Sequence, residues 1–354
     1  MNAMTRRVVL GSAAVSMVLA LSACGQAGGG DGGDKGSRTK IGLLLPENKT
    51  ARYEALDKPQ FEKAVKRACL DCEVVYNNAV SDVVKQKQQF DQLIADGVRV
   101  IALGSVDAAK SAGWVKEAHA KGVKVVAYDR AIAGADVYVS HDNYKVGELQ
   151  GEALLAALGA KAASAQIVMI NGDEKDPNAG LFKKGAHTAL DGKVGKIAYE
   201  ASGEWDPKVA GEKMAAAVSS VGKDRIGAVY SANDGMAGGI VTSLENAGIK
   251  GIPVGGQDAE IAGIQRIVAG TQTFTIYKSP LELAPKAAEF AVDLLLEVPI
   301  RAQTQTDGVP SNLLDPIVVD RNNIQSTVIQ DGIYKAADIC TEDLAAKCAE
   351  LGIK

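Results

Sequence analysis

Short apolar runs rich in β-branched residues alternate along the chain with longer stretches in which apolar positions recur every three or four residues. The runs predicted as strands include Lys40–Leu45, Val98–Leu103, Val123–Tyr128, Gln166–Asn171, Gly227–Ser231 and Thr271–Tyr277. Between them, Gln86/Phe90/Leu93/Ile94 and Val209/Met214/Ala217/Val218 keep helical spacing. Strand and helix taking turns predicts an α/β protein with parallel sheets covered by helices on both faces. The middle strands are apolar almost throughout, as strands buried on both faces should be. Turn-forming polar residues follow them: Gly104-Ser105, Asp129-Arg130, Asn171-Gly172-Asp173, Asn233-Asp234-Gly235 and Gln257-Asp258. In open parallel sheets, ligands bind beyond the carboxyl ends of the strands, so function is expected at these turns.

The amino end changes the picture of where folding starts. Arg6 and Arg7 precede an apolar run from Val8 to Leu21, which is short for a membrane span and reads as a secretory leader over residues 1–23. The residues Leu21-Ser22-Ala23-Cys24 resemble a bacterial lipoprotein signal, so Cys24 is expected to carry lipid and hold the chain on the outer face of the cytoplasmic membrane. A leader cut elsewhere would leave Cys24 an ordinary thiol, and Arg6-Arg7 allows either general or twin-arginine export. Residues 24–38 are rich in glycine with almost nothing to bury, and read as a flexible tether. About 315 residues follow, which by the usual size of domains is two domains rather than one. The formal net charge of −4 with no basic block argues against a nucleic-acid partner.

Four further cysteines remain: Cys69, Cys72, Cys340 and Cys348. In an exported chain an even number is most simply two disulfides. The Cys69-Leu70-Asp71-Cys72 spacing could also serve redox chemistry or half a zinc site. A redox pair is expected at a helix start, whereas this one follows the amphipathic stretch Phe61, Ala64, Val65, Ala68 and so closes a helix. A zinc site would want further ligands, and His119, His141 and His187 lie far off in sequence. The expected bridges are therefore Cys69 with Cys72 and Cys340 with Cys348. An unbroken helix would hold the second pair about 12 Å apart, beyond the roughly 7 Å a disulfide spans, so that segment must bend or start its helix late. No metal or cofactor is called for.

The polar residues at the strand ends suit a sugar. Each hydroxyl both donates and accepts, an Asp accepts twice, an Arg donates a planar pair, an Asn does one of each, and an aromatic face covers the C–H side of a pyranose. The candidates are Arg52, Tyr53, Asp129, Arg130, Asn178, Trp205, Asn233, Asp258 and Lys278, with Asp234 beside them. Taken singly each has a plain alternative: Asp129-Arg130 a solvated turn, Asn233 or Asp234 a helix cap, Trp205 a packing anchor, Lys278 a surface charge. His141 has no serine, cysteine or metal partner at a recognisable spacing, and reads as structural rather than catalytic.

The segments Gly122–Arg130 (GVKVVAYDR), Ser140–Glu148 (SHDNYKVGE), Ala232–Gly239 (ANDGMAGG), Gly255–Glu260 (GGQDAE) and Ala269–Lys278 (AGTQTFTIYK) resemble the xylose-binding proteins of bacterial ABC importers. That group sits in the ribose/galactose branch of the type I periplasmic binding proteins, and the likeness runs from about Lys40 to Lys335. The resemblance implies two doubly wound parallel-sheet lobes joined by a three-segment hinge, with crossings near Asp142-Asn143, just after Lys278, and near Gly308–Pro310. The first lobe would hold residues 39–143 and about 279–308, the second 144–278 and about 309–336, with residues 337–354 a C-terminal extension. It implies that Arg52, Tyr53, Asp129 and Arg130 grip a monosaccharide from the first lobe, while Asn178, Trp205, Asn233, Asp258 and Lys278 answer from the second. Tyr53 stands where a xylose binder has tryptophan, and around Gly104–Asp107 the match is looser. The implied partners are a monosaccharide and an ABC permease, with the binding protein a monomer.

Three other functions compete. A secreted glycoside hydrolase would use two carboxylates beside the sugar, but no paired-carboxylate motif occurs and the acidic candidates have Arg, Asn or Lys neighbours. A repressor of the lactose-repressor type needs a helix-turn-helix headpiece where this chain has a leader and tether. A sugar sensor docking on a membrane kinase would share every feature of the importer reading.

Overall fold

A computed structural model describes residues 39–354. Cys24, the leader and the tether lie outside the described residues. Two sheets organise the rest. The strands are β1 Thr39–Leu45, β2 Cys72–Asn78, β3 Val100–Leu103, β4 Lys124–Tyr128, β5 Val137–His141, β6 Gln166–Asn171, β7 Lys196–Ser202, β8 Ile226–Ser231, β9 Phe274–Tyr277, β10 Thr304–Thr306, β11 Val309–Leu314 and β12 Ile317–Asp320. The longer helices are α1 Lys58–Ala68, α2 Val83–Ala95, α3 Ala108–Ala120, α4 Asn143–Leu158, α5 Pro177–Leu190, α6 Pro207–Val221, α7 Asp234–Asn246, α8 Ile261–Ala269 and α9 Pro280–Leu295. Two short ones follow, α10 Ala336–Ile339 and α11 Ala345–Glu350. Among the described residues no helix is long and apolar enough to cross a membrane.

The first sheet has the order β10-β11-β5-β4-β3-β1-β2, parallel except for β10 at its edge. Its central strands are buried on both faces because alternate side chains meet different helices. Ile41, Leu43, Leu45, Val100 and Ala102 pack with Phe61 and Val65 of α1 and with Leu283, Ala287 and Phe290 of α9. Their neighbours Leu44, Ile101 and Leu103 pack with Phe90 and Leu93 of α2 and Trp114, Val115 and Ala118 of α3. This is the physical content of an all-apolar strand: neither face is left for polar residues.

The second unit begins with β7-β6-β8, all parallel. Parallel bridges from Val229 to Val254 and from Gln257 to Ile276 continue it to β9, which pairs antiparallel with β12. Helices α4 to α8 cover it. The resemblance implies a first lobe that closes near residue 308 and a C-terminal extension over residues 337–354. The structure differs on both points. Gly308 and Asp307, both at positive φ, form the turn of the β10–β11 hairpin, and β11 runs parallel to β5 as part of the first sheet up to Leu314. The third passage between sheets therefore falls between Leu314 and Ile317, at Asp315-Pro316. The last residues belong to the second lobe's core: Ile339, Leu344, Cys348 and Ile353 pack with Ile264, Ile267 and Val268 of α8.

Disulfides join Cys69 to Cys72 and Cys340 to Cys348, with Cα separations of 5.3 and 5.9 Å. Cys69 caps the carboxyl end of α1. The second bridge is reachable because helix stops at Ile339 and resumes only at Ala345.

Candidate functional site

Of the five turns singled out in the sequence, Asp129-Arg130, Asn233-Asp234-Gly235 and Gln257-Asp258 contribute to the chamber at the seam between the two sheets, whereas Gly104-Ser105 and Asn171-Gly172-Asp173 lie outside its lining. Arg52 and Tyr53 follow the loop after β1. Asp129 and Arg130 follow β4, Asn178 opens α5, Trp205 lies between β7 and α6, Asn233 caps α7, Asp258 leads into α8 and Lys278 follows β9. These nine side chains line one chamber together with Thr50, Asp176, Phe182 and Gln257, and they close on it so tightly that only about 20 Å³ is left open to a water-sized sphere. All nine are buried. Three of them, Asp129, Trp205 and Asp258, take positive φ of 63°, 55° and 92°, a strained choice for residues with a Cβ and one that clusters at working sites.

The first-lobe wall is built of charge held by charge. The Arg52 guanidinium donates from Nη1 to Asp57 and from Nη2 to Asp129 at 2.7 Å, and its Nε stands 3.3 Å from Asp258 of the second lobe. Tyr53 donates to the same Asp129 oxygen at 2.5 Å, and Tyr128 backs Asp57 at 2.7 Å. Burial alone would raise the Asp129 pKa, but Arg52 and Lys278 outweigh it and hold the carboxyl below the usual carboxylate range. Arg130 donates to the Ser105 carbonyl at 2.8 Å and pairs through Nε with Asp176 of the second lobe at 2.9 Å. Burial of Asp176 pushes its pKa up to about 6 against the pull of Arg130.

The second-lobe wall is mostly neutral. Phe182 and Trp205 meet edge to face with ring centroids 6.2 Å apart, and the Lys278 ammonium lies 5.3 Å from the Phe182 centroid while pairing with Asp258 at 3.1 Å. Asn178 spends its amide inside the protein, donating to the Asp129 carbonyl and accepting from Asn143, each at 2.9 Å. Asn233 is a helix cap as well as a wall residue: its Oδ1 accepts from Met236 N at 2.9 Å. Asp142 caps α4 at the first passage between lobes. Further contacts cross the seam directly, from Lys49 to Asp206 at 2.5 Å and from Ala51 N to Glu260 at 2.8 Å.

Several buried polar atoms of the chamber have no hydrogen-bond partner within the protein: Asp129 Oδ1, Gln257 Oε1 and Trp205 Nε1. A carboxylate, an amide carbonyl and an indole N–H aimed at one small space call for a guest that both donates and accepts. His141 ends β5, fully buried with both ring nitrogens unpartnered, and burial followed by Lys278 and Arg52 holds its pKa well below the usual value. It lies outside the chamber lining.

The sequence reading missed Thr50, Asp176, Phe182 and Gln257. Asp176-Pro177 carries a helix-start signature that could have placed Asp176 at the mouth of α5, and Phe182 lies one turn beyond Asn178 on the same helix face. Gln257 adjoins a residue already singled out.

Two α/β lobes linked by three passages of chain, with a polar chamber at their seam, define a protein of the solute-binding class. The profile of the periplasmic binding protein domain matches residues 41–297, and the chain belongs to that family, with the type I fold that the motifs implied. It is 36% identical over 312 residues to a D-xylose-binding periplasmic protein of Escherichia coli, covering 85% of this chain and 92% of that one. It is 31% identical to a multiple sugar-binding periplasmic receptor of Rhizobium radiobacter, covering 86% and 92%. Among solved structures, a carbohydrate transporter solute-binding protein from Chloroflexus aurantiacus in complex with D-glucose superposes with a TM-score of 0.75 at 26% identity, covering 85% of this chain and 98% of that one. These relatives are solute-binding proteins, not enzymes.

Proposed function

We propose that the chain is an extracytoplasmic, lipid-anchored binding protein that captures an aldopyranose, D-xylose in the first place, and delivers it to an ABC permease. The observation that carries this reading is the convergence of nine polar and aromatic side chains from both lobes on one chamber with unpartnered acceptors and an unpartnered indole N–H. In this reading Arg52, Tyr53, Asp129 and Arg130 hold the sugar from the first lobe. Asp258 and Lys278 hold it from the second, Trp205 and Phe182 cover its C–H face, and Asn178 and Asn233 frame it. The D-xylose-binding relatives support a pentose, while the glucose-bound neighbour and the multiple-sugar receptor support a hexose as the alternative. The chain hinges at Asp142-Asn143, after Lys278 and at Asp315-Pro316, and the sugar favours the closed form because contacts from both lobes exist only there. Cys24 holds the protein to the membrane, and one copy suffices for binding. A sensor that reports the sugar to a membrane kinase is the second reading.

A thermal-shift screen against D-xylose, D-glucose, D-ribose and L-arabinose tests the function. A ligand at a hundred times its Kd adds about 2.7 kcal/mol to stability, so the preferred sugar should raise the melting temperature in a concentration-dependent way. No shift with any of the four would sink the proposal. Fractionation of cells expressing Cys24→Ala tests the anchor: the protein should leave the membrane fraction.

A further inference from the structure

Asp258 stands in a segment of backbone that its sequence does not favour. It and the next residue, Ala259, both adopt positive φ, 92° and 50°, although neither is glycine. Two successive left-handed residues with side chains persist only where the surroundings impose them. The surroundings here converge on one side chain. Asp234, fully buried at the start of α7, accepts from the Glu260 backbone N–H at 2.9 Å, from Thr275 Oγ1 at 2.9 Å and from Gln272 Nε2 at 2.6 Å. Its own N–H donates to the Gln257 carbonyl at 2.9 Å, and Thr275 Oγ1 accepts from Ala259 N at 3.1 Å. The carboxylate thus holds two of the four residues from Gln257 to Glu260, Glu260 directly and Ala259 through Thr275, while the backbone N–H of Asp234 holds a third, Gln257. It also has a fitted seat: a Cβ on Gly256 would come 2.1 Å from Asp234 Oδ1, and one on Gly263 would come 2.4 Å from Oδ2. Only glycine at both positions leaves room for it.

Asp234 does not line the chamber. We infer that Asp234 is the positioning residue for Asp258, holding the Gln257–Glu260 turn in its left-handed form so that the Asp258 carboxylate faces Arg52, Lys278 and the sugar. This rests on the binding role proposed for Asp258 and goes beyond it, since it assigns a task to a residue that meets neither the ligand nor the opposite lobe's charges.

The test is a cycle of variants titrated calorimetrically with D-xylose and, in parallel, D-glucose. Asp234→Asn should weaken binding at least tenfold. On top of Asp258→Ala it should add less than twofold, because the residue it positions is gone. Ala259→Gly, which removes the Cβ from a left-handed position, should restore at least threefold of the affinity lost in Asp234→Asn. A residue that merely stabilised the lobe would show none of this coupling or rescue. Should Asp234→Asn fail to fold, Thr275→Val removes one donor from the same carboxylate and is expected to lose affinity severalfold, again with rescue by Ala259→Gly. Additive losses in the double variant, or no rescue, would overturn the inference while leaving the site intact. Wild-type affinity in Asp258→Ala alone would instead remove the site reading, and the inference with it.

Discussion

The two walls of the chamber are made differently. On the first lobe, Arg52 is fixed by Asp57 and Asp129, and Asp129 in turn by Tyr53, so that the polar groups are one another's counter-ions before any ligand arrives. On the second lobe, Asn178 and Asn233 are committed to the backbone or to neighbouring amides, the aromatic pair is neutral, and the charged residues Asp258 and Lys278 sit at the ends of a strained turn and a strand. The lesson is a division of labour. Damage to the first wall strands buried charge and should register in stability, whereas damage to the second should register in affinity.

The strongest way to break this contrast is Asp129→Ala. Removing one member of a buried ion cluster costs about 3–5 kcal/mol, and urea denaturation without sugar should show a loss of that size. A loss below about 1 kcal/mol would mean that the first wall is not held by its own charges. The same residue gives an acid signature. Its folded pKa lies below the unfolded value of about 3.9, so the stabilisation is complete above that value and is lost as pH falls through the folded one. The wild type should therefore shed stability below about pH 4, and Asp129→Ala should follow a flatter acid limb.

Asp258→Ala comes next and should move affinity more than stability. Leaving donors of Lys278 and the sugar without a partner costs about 2–4 kcal/mol of binding, read by isothermal titration, and a larger loss in urea than in titration would reverse the contrast. Trp205→Phe keeps an apolar wall but loses ring area and the indole N–H, for about 0.5–1.5 kcal/mol of affinity. The smallest effect belongs to the rim. Lys49 and Asp206 pair across the seam with side-chain exposures of 39% and 22%, so Lys49→Ala should cost no more than about 1 kcal/mol of affinity, and the difference should vanish at high salt.

What the sequence made legible followed burial. The central strands of the first sheet, β1, β3 and β4, show no polar alternation because helices cover both faces, and the turns after them could be picked out by that contrast. Edge strands such as β2 (CEVVYNN) and β7 (KIAYEAS) are half exposed and mix charge with apolar residues, so nothing separated them from loops. The third crossing near Gly308-Val-Pro310 came from the family resemblance and not from any pattern in the residues themselves. The Asp-Gly pair instead supports a tight hairpin, and Pro310 is tolerated because β11 meets β5 only from Ser311 onward. Local pattern could place Asp176 and Phe182 at the start of α5 but not on the wall, since what makes them wall residues is the approach of Arg130 and Lys278 from other parts of the chain.

The third passage at Asp315-Pro316 also bears on the order in which the molecule can be completed during synthesis. The first lobe needs α9 and β11, which leave the ribosome only after the whole middle of the second lobe, and the second lobe in turn waits for β12 and for Ile339, Leu344 and Ile353 to seal α8. The first lobe lacks a strand until Leu314 has been added and the second lacks core residues until Ile353, so the chamber is among the last things to exist.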